Sequence, residues 1–117
     1  MSAKPLGPYT PVVKSGEWIV CSGQLGLSDG ALVGGGVGAE TAKAVANLGD
    51  LLASQGASLS DIVKTTVFLT NMDDFAAMNE AYVAAFGDHR PARSTIGVAA
   101  LPLSGAAVEI EAWARKA

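Results

Sequence analysis

Arg93-Ser94-Thr95 and, further along the chain, Val108-Glu109-Ile110-Glu111-Ala112 hold the residue types best suited to chemistry. One fixed cation sits on a predicted strand, and two carboxylates alternate along the next. An arginine presents a planar fork of donors that grips a carboxylate bidentately and stays charged at any working pH. A carboxylate facing it can hold or activate a water. Together they point to a pocket for a small carboxylic acid whose neighbouring carbon is attacked by water. Strand ends also carry Arg and Glu as plain solvated charges, and the residues alone leave both readings open.

Other chemistries find less support. A metal site needs a cluster of ligands at recognisable spacing, and the chain has one cysteine, Cys21, and one histidine, His89. No metal and no cofactor is expected. Ser22-Gly23 lacks the first glycine of a nucleophile elbow, because Val20 stands there. Gly34-Gly35-Gly36-Val37-Gly38-Ala39 contains a G-x-G-x-x-A string, but the strand expected before it is three residues long and belongs to a hairpin. A dinucleotide site needs a βαβ unit, so the stretch reads as a flexible glycine loop. Cys21 lies in the apolar run Trp18-Ile19-Val20-Cys21 and reads as a buried, inert thiol. His89, in Gly87-Asp88-His89-Arg90-Pro91, reads as a surface loop residue.

The elements that must position Arg93 and the glutamates follow from periodicity. Val12-Val13-Lys14, the turn Ser15-Gly16 and Glu17 to Cys21 read as a hairpin, and Asp29-Gly30 turns into a short strand Ala31-Leu32-Val33. From Ala39 to about Gln55, Ala42, Val45, Ala46, Leu48, Leu51 and Leu52 recur at helical spacing, and Gly56 stops the helix. Ile62 to Leu69 is rich in strand formers. Its alternation puts Ile62, Lys64, Thr66 and Phe68 on one face and Val63, Thr65, Val67 and Leu69 on the other. Asn71 or Asp73 can cap a second helix through Phe75, Met78, Tyr82 and Phe86, ended by Gly87. Strands follow near Ser94 to Ala99 and Ala107 to Ala114. The order β-β-β-α-β-α-β-β predicts an α+β fold, with two helices on one face of a single mixed sheet. Both glutamates of the last strand share one face, and Val108, Ile110 and Ala112 share the other.

Composition bounds the partners. The 117 residues read as a single domain, 1–117, able to bury roughly 60–70% of its unfolded surface. Half the residues are hydrophobic and 16% are charged. That apolar excess, with one sheet face uncovered, predicts contact with a partner subunit. A net charge of −3 with cations scattered along the chain argues against nucleic acid. No apolar run approaches the ~20 residues of a membrane helix, and the prolines of residues 1–11 are unlike a signal peptide. The lone cysteine fits a reducing cytoplasm.

A family resemblance joins these fragments. Gly7-Pro8-Tyr9, Ser22-Gly23-Gln24 and the strand Asp61 to Leu69, with its Val63-Lys64-Thr65-Thr66-Val67-Phe68-Leu69, resemble segments of the RidA/YjgF enamine/imine deaminases, also labelled L-PSP endoribonucleases. Met72-Asp73-Asp74-Phe75 through Asn79-Glu80-Ala81-Tyr82, Pro91-Ala92-Arg93-Ser94 and Val108 to Ala112 are similar to that family's following segments, in the same order. The resemblance covers nearly the whole chain. It implies a chorismate-mutase-like fold and a homotrimer with active sites between subunits. It also implies cofactor-free hydrolysis of 2-imino or 2-amino acrylates to 2-keto acids and ammonia.

Residue by residue, the resemblance makes Arg93 the clamp on the substrate carboxylate and Glu109 the residue that positions the attacking water. Tyr9, Ser22, Gly23 and Asn79 match cleft-lining positions. Thr95 stands where many members have cysteine, so cysteine-based activity is not expected, while hydrolysis needs only backbone groups and pocket wall there. Two alternatives remain: a non-catalytic relative that binds 2-keto acids or acts like a chaperone, and an endoribonuclease.

Overall fold

Val108, Ile110, Ala112 and Ala114 are fully buried, and the residues between them are not. This period of two assigns one face of the sheet to the core and leaves the other open. In the computed structural model, which describes residues 5–117, the main-sheet strands are β1 (Val12–Ser15), β2 (Trp18–Leu25), β5 (Ile62–Leu69), β6 (Ala92–Gly97) and β7 (Val108–Arg115). Their spatial order is β1-β2-β7-β5-β6. Only β5 and β6 pair in parallel, so the sheet is mixed. The helices α1 (Gly36–Ala53) and α2 (Phe75–Phe86) cover one face. Leu48, Leu51 and Leu52 of α1 and Met78 and Tyr82 of α2 pack there against Ile19, Val67, Leu69 and Ile110. Each such side chain withdrawn from water stabilises the fold by about 1.5–3 kcal/mol.

The architecture is the α+β arrangement expected, with three local differences. The strand near Ala31 does not join the main sheet. As β4 (Ala31–Leu32) it pairs with β3 (Leu27–Ser28) in a separate ribbon. Asp29 and Gly30, both at positive φ, form its tight turn. Helix α1 begins at Gly36, not Ala39, because Gly35 and Gly36 adopt positive φ (110° and 82°) and swing the chain directly into the first turn. The glycine run is thus a helix entrance.

The third difference concerns register. Strand β5 is irregular between Ile62 and Lys64, which turns Ile62 into the core and Val63 out to solvent. Strict alternation would have put Ile62 with Lys64, but an extra residue in a strand switches the face of what precedes it. At this bulge His89 donates from Nε2 to the Ile62 carbonyl, 2.8 Å away. The loop histidine is a half-buried pin between the segment after α2 and β5. Beyond it the expected alternation holds, and the buried Thr65 hydroxyl meets the Tyr82 hydroxyl at 2.7 Å.

Candidate functional site

Strand β2 runs on through Ser22-Gly23-Gln24 to Leu25, further than its apolar part predicts, and its register against β7 shifts between Cys21 and Gln24. That irregularity brings the Gly23 backbone against Glu109. A Cβ built on Gly23 would lie 2.8 Å from the Glu109 carboxyl carbon, so only glycine fits without displacing the glutamate. Glu109, Gly23, Gln24, Leu25 and Asn47 line a small, partly open cavity of about 30 Å³, bordered by Pro5, Leu6, Tyr9, Pro11 and Leu27 and large enough to hold water. Burial pushes the Glu109 carboxyl above the usual carboxylate range, and the nearby charge of Glu111 adds to the rise.

Ser22 acts one step back from the cavity. Its hydroxyl donates to the Thr10 carbonyl (2.7 Å), and its N–H donates to the Pro11 carbonyl (2.8 Å). These bonds pin the segment carrying Tyr9 over β2. The Tyr9 ring is itself exposed, with its hydroxyl accepting from the Leu6 N–H at 3.2 Å.

Arg93 belongs to the other side of the sheet. It pairs in register with Thr65, whose side chain points into the helix-covered face. Its guanidinium carbon lies 4.9 Å from the Tyr82 ring centroid and 5.7 Å from that of Phe75, and one nitrogen is 3.9 Å from the Met78 sulfur. Aromatic faces and a thioether hold the fork by cation–π attraction without neutralising it. Among the described residues the ion pairs are Arg115–Glu17 and Lys116–Asp61, and no carboxylate is paired with Arg93. Thr95, two residues on and opposite Val67, shares this face. Asn79, one turn after Phe75 on α2, has a buried Oδ1 with no donor among the described residues.

The predicted residues therefore fall into two groups. Tyr9, Ser22, Gly23 and Glu109 converge at the end of β2, and Arg93, Thr95 and Asn79 gather where β6 meets α2. Glu109 pairs in register with Phe68, on the open face, and Arg93 with Thr65, on the covered one. One chain does not join the two groups. Asn47 and the Phe75–Met78–Tyr82 wall were not foreseen as site residues. Asn47 carried a signal, as an amide set among apolar residues of a helix, whereas the wall looked like ordinary core spacing.

The Cys21 thiol is buried and pushed up to about 11, because burial disfavours the thiolate. Native protein should resist alkylation at Cys21 over a time in which unfolded protein reacts fully, which mass spectrometry can follow. Rapid native labelling would place the thiol at the surface.

The Endoribonuclease L-PSP family model matches residues 1–116. The chain is 47% identical over 111 residues to the 2-iminobutanoate/2-iminopropanoate deaminase of Mus musculus, covering 93% of this chain and 82% of that protein. It is 46% identical over 107 residues to the mitochondrial protein mmf2 of Schizosaccharomyces pombe, covering 90% and 85%. The crystal structure of RidA from an Antarctic Psychrobacter superposes with a TM-score of 0.92 at 37% identity, covering 98% of this chain and 94% of that one. With the order of its strands and helices and a match along nearly its whole length, the chain belongs to the RidA/YjgF family.

Proposed function

We propose that this protein hydrolyses reactive 2-imino and 2-amino acrylates to 2-keto acids and ammonia, in a site that two copies of the chain build together. The observation that carries this is the division of labour across one sheet. An unneutralised guanidinium stands on one face, and a carboxylate of raised proton affinity stands beside a small water-sized cavity on the other. The related mouse deaminase supports the substrate class. Arg93 holds the substrate carboxylate by its fork. Glu109 takes a proton from water as the oxygen bonds to the imine carbon, giving a carbinolamine. That proton passes to nitrogen, Glu109 takes the carbinol hydroxyl proton as the C=O bond forms and the C–N bond breaks, and ammonia leaves the keto acid. The imine carbon is already electrophilic, so positioning and proton transfer suffice, with no covalent nucleophile. Thr95 serves as pocket wall.

The open sheet face supplies the second support for assembly. Trp18 and Trp113 pack edge-to-face there at 6.2 Å, with Val13 and Ile96 exposed on the same face. Apolar surface of this kind is suited to a subunit contact, and we take the assembly to be a homotrimer. The reduced thiol of Cys21 suits the cytoplasm. The acidic balance offers an RNA backbone little to bind, which disfavours the ribonuclease alternative.

The test is an imine-trapping assay. Imines are generated enzymatically from several amino acids, and keto-acid appearance is followed with and without this protein. Acceleration at catalytic protein concentrations supports the proposal. Keto-acid binding without acceleration would make the protein a non-catalytic binder. The pH dependence carries a sign. A base works deprotonated, and Glu109 keeps its proton to higher pH than an ordinary glutamate. Activity should therefore fall on acidification through a pKa above the usual carboxylate range. Glu111→Gln removes the neighbouring charge and should move that acid limb of kcat/KM to lower pH. A limb that stays put in this variant would show that another group titrates.

A further inference from the structure

Two polar side chains on α1 lie outside the proposed chemistry yet bond to the chain on either side of the Glu109 cavity: one just before Glu109, the other at Leu25 and Leu27. Glu40 is 5% exposed, and its Oε1 accepts from the Ala107 N–H at 2.9 Å, two residues before Glu109. Asn47, two turns along the same helix face, donates from Nδ2 to the Leu25 and Leu27 carbonyls at 3.0 and 3.1 Å. Gly26 lies between these two carbonyls. A Cβ on Gly26 would sit 2.6 Å from the Glu40 Cα, so the helix backbone rests directly on the chain there. The Ala107 carbonyl in turn accepts from the Thr70 N–H at 3.2 Å, which ties the start of β7 to the end of β5. A buried carboxyl in a helix face whose other buried residues are Thr41 and a run of Ala, Val and Leu costs desolvation that a leucine would not.

We propose that Glu40 is a positioning residue for the reaction. By holding the Ala107 N–H it sets the height of Glu109 over Gly23, while Asn47 holds the opposite wall. Helix α1 is thus a strut that keeps the cavity small. This inference rests on the function proposed above, and its test includes readouts that do not.

Glu40→Ala and Glu40→Gln are made in the full chain and compared with the unaltered protein. Glu40→Ala should lower kcat in the imine assay by up to about 100-fold with KM little changed, because Arg93 lies on the other sheet face. The Ala107 amide should lose its protection from hydrogen exchange. The Glu109 carboxyl, followed by NMR titration, should move down toward the ordinary carboxylate range as water enters. Among the described residues, the titratable groups around it are Glu111 on its own strand, Tyr9 across the cavity and Glu40 itself, which reaches β7 from α1 two residues before Glu109; β2 and α1 line the cavity with Gly23, Gln24, Leu25 and Asn47. Glu40→Gln keeps an acceptor for Ala107 and should restore all three readouts.

An unchanged kcat and Glu109 titration in Glu40→Ala would overturn the proposal. So would a Glu40→Gln variant as impaired as Glu40→Ala. If Glu40→Ala does not fold, Asn47→Ser releases the other wall and should show the same loss of kcat and fall in the Glu109 pKa; normal values there overturn the strut. If the unaltered protein deaminates nothing, the proposed function fails, and the exchange and titration results alone decide for or against the strut.

Discussion

Glu109→Gln should lower deaminase turnover by about 10²-fold or more and leave 2-keto-acid binding nearly unchanged. The substitution keeps the shape that packs against Gly23 and removes only the proton acceptor. In the proposed mechanism Glu109 meets the water and the departing amine while Arg93 holds the keto acid's permanent carboxylate, so kcat and binding should separate. Glu111→Gln is the control. Glu111 lies two residues along the same strand face, about 7 Å away, and is not among the residues lining the cavity. Its loss should shift the acid limb without abolishing the plateau rate. If Glu111→Gln abolishes activity and Glu109→Gln does not, the base has been assigned one strand repeat too early. Steady-state kinetics with calorimetry of keto-acid binding make the comparison.

Arg93→Lys produces the opposite pattern. Lysine keeps the charge and loses the fork, so 2-keto-acid binding should weaken by about 1–3 kcal/mol. The ammonium is also more strongly hydrated than a guanidinium, and it would sit less well against the Tyr82 and Phe75 rings. Calorimetric affinity equal to that of the unaltered protein would show that the carboxylate is not bound there by a bidentate clamp.

Much of this arrangement was legible in the chain. The alternation of Val108 to Ala112 announced which face each glutamate would take, because a strand repeats every two residues whatever its neighbours. The helical spacing of Val45, Leu48 and Leu52 and the stop at Gly87 likewise follow from local geometry. Where the chain was silent, the cause was non-local. The bulges at Cys21–Gln24 and Ile62–Lys64 are set by pairing with β7. Asn47 and Glu40 satisfy backbone groups far away in sequence. The placement of Arg93 opposite Glu109 depends on sheet order, which no single strand encodes. The family resemblance implied both residues in one cleft; a single chain holds them on opposite faces of its sheet, and in the function proposed above a second chain completes the site.

Subunit mixing tests that requirement most directly. Arg93→Ala and Glu109→Gln proteins, each nearly inactive alone, are mixed, unfolded and refolded together. If each site takes Arg93 from one copy and Glu109 from its neighbour, about one site in four regains both intact residues in a randomly mixed assembly. Deaminase activity should then reappear at about a quarter of the unaltered protein's rate. Light scattering on the same samples should show an assembly larger than a monomer. Refolded mixtures that remain as inactive as their components, beside fully active refolded unaltered protein, would contradict a site shared between copies.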